Sequence, residues 1–326
     1  MTSRQDTSAA EQAVTAVLSR PLDYIRWGAS RFAAAGLQFG HGTDNALDEA
    51  AQLVLHVIAL DHGLPDIYLY ATLTQAEREA IVALLEERII SRRPAPYLTG
   101  TAWFAGLAFY VDERVIIPRS PIAELIDHSF QPWLEHREPL SILDLCTGSG
   151  AIAVACALAF PDARVVASDA CPEALAVARI NVERHDLGPQ VECVQADLFA
   201  GLTHQRFDLI VSNPPYVPQE EWATLAAEYH HEPEFAFTGA GDALDLLRRL
   251  LFAAPQHLTE DGLLVLEVGF TAYALERLYP ELPVTWVELQ RGGIGVGILE
   301  AEDLAAWVAW QQAHPQASED KGEQHS

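Results

Sequence analysis

Cysteine, lysine and long apolar runs are all scarce in this chain of 326 residues. The four cysteines, Cys146, Cys156, Cys171 and Cys193, show no C-x-x-C spacing. Neither a zinc knuckle nor a disulfide framework is therefore suggested, and no metal site is expected. The longest unbroken apolar run covers residues 151–160, half of the roughly 20 residues that cross a bilayer. Met1-Thr2-Ser3-Arg4-Gln5-Asp6 lacks the basic-then-apolar pattern of a secretory signal. These absences lead to the expectation of a soluble, cytoplasmic protein with no membrane partner. Lys321 is the single lysine among 20 basic residues, a bias that reads as genomic rather than functional.

Acidic side chains are plentiful instead: 46 of them set the formal net charge at −26. Such a surface repels phosphate backbones and draws in basic partners, so direct binding of free nucleic acid is not expected. The same charge also serves solubility, or suits a salty habitat. Half of the residues are hydrophobic, enough for a packed core and against global disorder. At roughly 150 residues per domain, the length predicts about two domains.

The first of these reads as helical. Alanine-rich periodic stretches lie near residues 9–19, 22–35, 45–61 and 75–92, spaced as amphipathic helices. Pro21 can open the second at its first turn. Thr74-Gln75-Ala76-Glu77 fits a capping box for the fourth, and Arg92-Arg93-Pro94-Ala95-Pro96 closes it. Residues 101–117, rich in aromatic and β-branched side chains with Gly106 as a turn, predict a β-hairpin. Ser120-Pro121 then supplies an N-cap and a first-turn proline for a helix over residues 121–130. Strands fit residues 141–146, 164–168, 190–195, 207–212 and 262–268, with helical segments such as 151–159 and 172–185 between them. That alternation predicts an α/β fold with a parallel sheet covered on both faces. Gly292-Gly293 and residues 294–299 suggest a closing hairpin at the sheet edge. The expected division is a helical domain over 1–96, a hairpin linker over 97–120, a ligand-binding domain over 121–312 and a disordered polar tail over 313–326.

Two motifs carry the chemistry. Asp144-Leu145-Cys146-Thr147-Gly148-Ser149-Gly150-Ala151-Ile152-Ala153 follows a predicted strand and opens a helix. Its glycines let a ligand approach the backbone and the helix N-terminus. Asp169 comes 19 residues after Gly150, at the end of the next strand, where a carboxylate accepts both ribose hydroxyl hydrogens. An adenosine cofactor is expected. Gly148-x-Gly150-x-x-Ala153 also satisfies the relaxed dinucleotide fingerprint, so an NAD-dependent enzyme stays open, as does an ordinary tight βα turn.

The second motif, Asn213-Pro214-Pro215-Tyr216, ends the fourth strand and is expected to face the same crevice. Its prolines fix the backbone and bring no N–H donors to compete locally for carbonyls. The Asn213 side-chain oxygen and the Pro214 carbonyl can both accept from a planar –NH₂ group. Such bonds hold the nitrogen and favour the charge that develops as it attacks a methyl group; hydride transfer has no use for them. Tyr216 can pack on the conjugated face of an amide or base. Between the motifs, Asp197 is placed to accept from an adenine amino group, and Leu198 to cover the ring.

These residues resemble the S-adenosylmethionine-dependent protein-(glutamine-N5) methyltransferases over about residues 92–299. Asn-Pro-Pro-Tyr alone is shared with DNA adenine-N6 methyltransferases. Its combination with Leu98-Thr99-Gly100, Ile117-Pro118-Arg119 and the helical N-terminal part is more specific. The release-factor branch reads Pro-Arg-Pro-x-Thr-Glu where this chain has Pro118-Arg119-Ser120-Pro121-Ile122-Ala123-Glu124. With Tyr229-His230-His231-Glu232-Pro233-Glu234, that run is similar to the branch acting on ribosomal protein L-three of the large subunit.

The resemblance implies a Rossmann-like class I methyltransferase, with a doubly wound, mostly parallel sheet and an antiparallel edge hairpin. It implies S-adenosyl-L-methionine as cofactor and a basic ribosomal protein as partner. Cys146, Thr147, Gly148, Ser149 and Gly150 would form the methionine-side loop, Asp169 would bind the ribose, and Leu198 with Asp197 would contact adenine. Asn213, Pro214, Pro215 and Tyr216 would hold the glutamine amide, with Asn213 also near the methyl donor; Asn213, Pro214 and Tyr216 are the expected catalytic set. Phe104 matches an aromatic position near the transfer site, and equally suits a core. Arg119 suits either a linker anchor or a substrate contact. Leu198 is aliphatic where some relatives are aromatic, and Arg291-Gly292-Gly293-Ile294-Gly295 is less polar than in the branch. A release-factor glutamine methyltransferase, a DNA amino-methyltransferase and a non-enzymatic cofactor-binding assembly factor are the competing readings. The second would need a basic face; the third would not need an intact Asn-Pro-Pro-Tyr.

Overall fold

A computed structural model describes residues 13–60, 63, 65–135, 137–239 and 241–314. The expected tail falls mostly outside them, as do the first residues of the helical stretch expected at 9–19. The chain forms two compact units. One comprises the chain up to Thr101 together with Ala226–His231; the other comprises Ala102–Leu225 and Glu232 onward.

The first unit is helical. Residues 13–17 form a turn and a half, followed by α1 (Pro21–Ala34), α2 (Ala46–Val57), α3 (Gln75–Ser91) and the short α4 (Ala95–Thr99). Pro21 occupies the first turn of α1, where its missing N–H costs nothing. The Asn45 side chain caps α2 by accepting from the N–H groups of Leu47 and Asp48, both at 3.0 Å. Thr74 and Glu77 form the expected reciprocal box, the Thr74 N–H donating to Glu77 Oε2 at 2.7 Å. Tyr24, Phe32, Leu53, Ile81 and Leu85 form the core of the unit. Each side chain so buried contributes about 1.5–3 kcal/mol.

The second unit opens on the strands β1 (Thr101–Phe104) and β2 (Leu107–Tyr110). Ala105 and Gly106, at φ 47° and 74°, make their two-residue turn, the left-handed pair that matches strand twist. A short helix, α5 (Ile122–Asp127), follows. Its first N–H, on Ile122, donates to the Ser120 hydroxyl at 3.2 Å. The helix is shorter than the ten residues expected, because Ser129 and Phe130 turn left-handed at φ 51° and 54°.

The main sheet contains β3 (Ser141–Leu145), β4 (Arg164–Asp169), β5 (Val191–Gln195), β6 (Phe207–Ser212), β7 (Leu258–Glu267), β8 (Thr285–Trp286) and β9 (Val296–Glu300). Their order is β5-β4-β3-β6-β7-β9-β8. The first five are parallel, and β9 is antiparallel to both its neighbours. The closing hairpin expected from Gly292-Gly293 forms between β8 and β9, but β9 lies inside the sheet and the two-residue β8 is the edge.

Alternate residues of each central strand enter different cores. Leu209, Val211, Leu263 and Val265 pack with α5, α6 (Ala151–Ala159) and α7 (Pro172–Arg184). Ile210, Leu264 and Leu266 pack with α10 (Ala243–Ala253), α11 (Ala272–Leu278) and α12 (Ala301–Ala313). Between these two groups in the chain come the single-turn helices α8 (Gln219–Trp222) and α9 (Phe235–Thr238). Burial on both faces explains why the strands read as nearly continuous apolar runs. The apolar run at 151–160 is likewise mostly helix, buried from Ala151 to Ala157. No helix among the described residues is long and apolar enough to cross a membrane.

Connectivity decides where a ligand can lie. From β3 the chain winds outward through β4 and β5, then returns to the other side of β3 for β6. The reversal opens a crevice beyond the carboxyl ends of β3 and β6, the usual ligand site of such sheets.

Candidate functional site

Strand register brings the two motifs together. Leu145 pairs with Ser212 and with Ser168, so the next residues along each strand, Cys146, Asn213 and Asp169, come together at the carboxyl ends of the strands. A cavity of about 440 Å³ opens there, with Cys146, Gly148, Asp169, Asp197, Leu198 and Asn213 in its wall. Ile116, Phe235 and Arg249 also contribute to the wall. The structure thus brings residues from both sequence motifs into the wall of one cavity.

The loop after β3 is held by its own polar groups. Asp169 Oδ2 accepts from the Gly148 N–H at 2.9 Å, and its Oδ1 from the Cys171 N–H at 2.9 Å. Each oxygen keeps a lone pair for a hydroxyl. Burial pushes the Asp169 carboxyl up from its ordinary range, opposed by these backbone donors. Thr147 and Ser149 shape the loop rather than line the cavity. The Thr147 hydroxyl donates to Asp144 Oδ2, and the Ser149 carbonyl accepts from Asn181 Nδ2 at 2.8 Å. Gly150 turns left-handed at φ 79° to begin α6. Cys146 is no candidate nucleophile: burial, with the negative charge of Asp169 behind it, pushes its thiol far above its ordinary value.

Sequence reasoning missed Asn181. It is fully buried in α7 and joins β2 to the loop: its Oδ1 accepts from the Tyr110 N–H at 2.7 Å, and its Nδ2 donates to the Tyr110 and Ser149 carbonyls. An Asn on the otherwise apolar face of Ala174, Ala178 and Val182 was the available signal. Asp144 was also passed over. Its carboxyl is buried and accepts from the Ala153 N–H at 3.0 Å, and burial pushes it up to about 7.

On the opposite wall, the Asn213 amide makes no hydrogen bond with any described residue, and neither does the Pro214 carbonyl. The loop is anchored at its ends instead. The Ser212 hydroxyl donates to the Leu145 carbonyl at 2.8 Å, and the Val217 N–H to the Phe237 carbonyl at 2.8 Å. Pro215 lines the cavity.

The structure gives Tyr216, Phe104, Arg119 and Asp197 partners that the sequence did not specify. Tyr216 is not in the cavity wall; its hydroxyl donates to Glu267 Oε1 at 3.1 Å. Phe104 is 4% exposed and packs edge-on against Phe109 in the core, not against the cavity. Arg119 is turned to Glu232, forming bonds of 2.8 and 3.0 Å to its two carboxylate oxygens, and its guanidinium lies over the Phe237 ring. Glu232 also accepts from the Ile117 N–H at 2.9 Å, so Arg119 is part of an anchor of the 117–120 segment. Asp197 does line the cavity, but its Oδ2 is engaged by Arg249 at 2.8 Å. Its other oxygen makes no bond with any described residue and can accept from an adenine amino group. Leu198 turns left-handed at φ 50° and buries its side chain beside Phe199. Among the described residues no group of three His, Cys, Asp or Glu could hold a metal ion.

The family model described as the methyltransferase small domain matches residues 127–230. The chain is 49% identical over 288 residues to a ribosomal protein uL3 glutamine methyltransferase of Xanthomonas campestris, covering 88% of this chain and 93% of the relative. It is 44% identical over 286 residues to the protein of the same name from Francisella tularensis, covering 87% and 91%. Among solved structures, a methyltransferase from Pyrococcus furiosus is similar at 19% identity with a TM-score of 0.43, over 68% of this chain and 96% of that one.

Proposed function

This chain belongs to the family of the ribosomal protein uL3 glutamine methyltransferases, and on that premise we propose that it transfers a methyl group from S-adenosyl-L-methionine to a glutamine side-chain amide nitrogen of uL3. One observation carries the assignment of the site. The Asn213 amide, in the cavity wall, and the Pro214 carbonyl have no hydrogen bond with any described residue. Two unpaired acceptors on a rigid turn suit a planar –NH₂ group.

The cavity suits the cofactor chemically. Asp169 retains a lone pair on each oxygen beside the Gly148 backbone, as paired ribose hydroxyls require. Leu198, Ala174 and Leu246 offer an apolar wall for a base. When bound, S-adenosylmethionine supplies an activated sulfonium methyl group. Cys146 to Gly150 would hold its methionine end, and Asp197 its adenine amino group.

The protein's own task is alignment. An amide nitrogen is a poor nucleophile because its lone pair is conjugated with the carbonyl. With both N–H bonds given to Asn213 Oδ1 and the Pro214 carbonyl, the nitrogen keeps one orientation and can rehybridise toward the methyl carbon. The same acceptors stabilise positive charge as it develops, in a site already shaped for it. The proton leaves after transfer, to water or a nearby acceptor.

Asn213→Ala tests the reading. Expected are near-normal binding of S-adenosylhomocysteine and loss of the one-methyl mass gain on uL3 glutamine, with a peptide release factor as the comparison substrate. Turnover close to that of the unmodified protein, with the cofactor site intact, would overturn it.

A further inference from the structure

A buried carboxylate lies behind the Asn-Pro-Pro-Tyr loop, outside the cavity. Glu267 ends β7 with 5% of its surface exposed. Its Oε1 accepts from the Tyr216 hydroxyl at 3.1 Å, and its Oε2 from the Ser120 hydroxyl. Ser120 is itself fixed, since its oxygen also accepts from the Ile122 N–H at 3.2 Å. A buried carboxylate is costly, and apolar residues of similar volume would fill the same space more cheaply. Its position needs a reason beyond packing.

Tyr216 supplies that reason. Three contacts hold it at once. Its hydroxyl is bound to Glu267, and its carbonyl accepts from the Thr271 hydroxyl at 2.8 Å. Its ring lies so close over Gly269 that a Cβ there would come within 2.7 Å of Tyr216 Cε2. The residues between Ser212 and Tyr216 are Asn213, Pro214 and Pro215, which form no hydrogen bonds to other described residues. Their placement therefore depends on the anchors at either end. The first anchor is the Ser212 hydroxyl, bonded to the Leu145 carbonyl of β3; the second is Tyr216, with the Val217 N–H held by the Phe237 carbonyl just beyond it.

We infer that Glu267 is a positioning residue for methyl transfer, acting through Tyr216 to set the Asn213 and Pro214 acceptors, with Ser120 holding its second oxygen. This rests on the reading that those acceptors hold the glutamine amide. It also gives Ser120 a role. The serine of this chain's Pro118-Arg119-Ser120 run is thus a working part of the anchor.

The test compares Tyr216→Phe, Glu267→Ala, Glu267→Gln and the Tyr216→Phe/Glu267→Ala pair. The readouts are kcat and KM with purified uL3 and calorimetric binding of S-adenosylhomocysteine. A displacement of about 1 Å in a reacting group costs on the order of 100-fold, so Tyr216→Phe and Glu267→Ala should each lower kcat by roughly 10- to 100-fold. Binding of S-adenosylhomocysteine should stay unchanged, because Glu267 does not line the cavity. The double variant should be no slower than the slower single one, as expected of groups acting as a unit. Glu267→Gln keeps a carbonyl for the Tyr216 hydroxyl and should recover most of the lost rate.

Unchanged kcat in Tyr216→Phe overturns the inference, and that variant decides the matter even if Glu267→Ala fails to fold. Fully multiplicative losses in the double variant overturn it as well. So does a loss of S-adenosylhomocysteine binding that parallels the loss of rate, since that marks a general structural role. If the unmodified protein binds S-adenosylhomocysteine but leaves uL3 unmethylated, the proposed function falls and takes the inference with it.

Discussion

Arg88 and Glu49 meet at 2.8 Å between Nε and Oε1, with neither side chain exposed to solvent. Around them, Arg88 Nη2 donates to the Gln38 carbonyl at 3.1 Å, and Glu228 accepts from Arg92 at 2.8 Å. The four charges balance inside the helical unit. Removing Arg88 leaves Glu49 buried without its partner, and breaking such a pair costs about 3–5 kcal/mol. Arg88→Met should show this loss in urea unfolding. Burial already pushes the Glu49 carboxyl above its ordinary value, with Arg88 as the main opposing influence. Without Arg88 it can escape the cost by taking up a proton, so the loss should be smaller in mild acid than at neutral pH. A pH-independent loss would mean that packing, not charge, is what Arg88 supplies.

Gly150 should tolerate no side chain. It lies at φ 79°, and a Cβ there would come within 3.1 Å of Ala178 Cβ and 3.2 Å of its Cα. Gly150→Ala combines left-handed strain with a clash against a helix backbone, and the strain alone costs on the order of 1 kcal/mol or more. Melting temperature should fall and S-adenosylhomocysteine should bind more weakly, because α6 must move away from α7. Normal affinity in a destabilised protein would show that the loop absorbs the change.

Asp144 should make stability depend on pH. Its carboxyl is pushed up to about 7 from 3.8, mainly by burial. Between these values the folded protein keeps a proton that the unfolded chain has released. The contribution is thus fully present below about pH 3.8 and lost as pH rises through about 7. Asp144→Asn cannot titrate. The stability of the unmodified protein relative to this variant should decline across that window, read by urea unfolding at a series of pH values. A constant difference would place the Asp144 carboxyl at its ordinary value.

The charge of −26 should act on the rate with a basic substrate. Screening shortens from about 14 Å to about 6 Å as salt rises from roughly 50 mM to roughly 300 mM. Over that range kcat/KM for uL3 should fall several-fold while binding of S-adenosylhomocysteine changes little. A flat response would leave the acidity to solubility alone.

Much of the fold was legible because local pattern and long-range packing agree. The capping box at Thr74, the proline opening α1, and the alternation of strands with helices from residue 141 each act over a few residues. The glycine loop and Asn-Pro-Pro-Tyr were legible for the same reason, since each is a backbone device written in consecutive residues. Side-chain destinations were not. An Arg119 reads the same whether it meets a substrate or Glu232, which lies 113 residues away. Asp197 gives no sign of Arg249, nor Tyr216 of Glu267.

The sequence by itself determined the elements, their order and the two motifs, because periodicity, caps and special backbone angles are properties of neighbouring residues. It also determined the sign of the surface, through 46 acids against 20 bases. Only the tertiary structure decided that Ala226–His231 belongs with the helical unit, that Phe104 is core, and that Tyr216 turns from the cavity to a buried carboxylate. Those choices depend on which distant groups share a buried space. Inside it an unpaired charge or hydroxyl is costly, so each polar side chain goes where a partner waits.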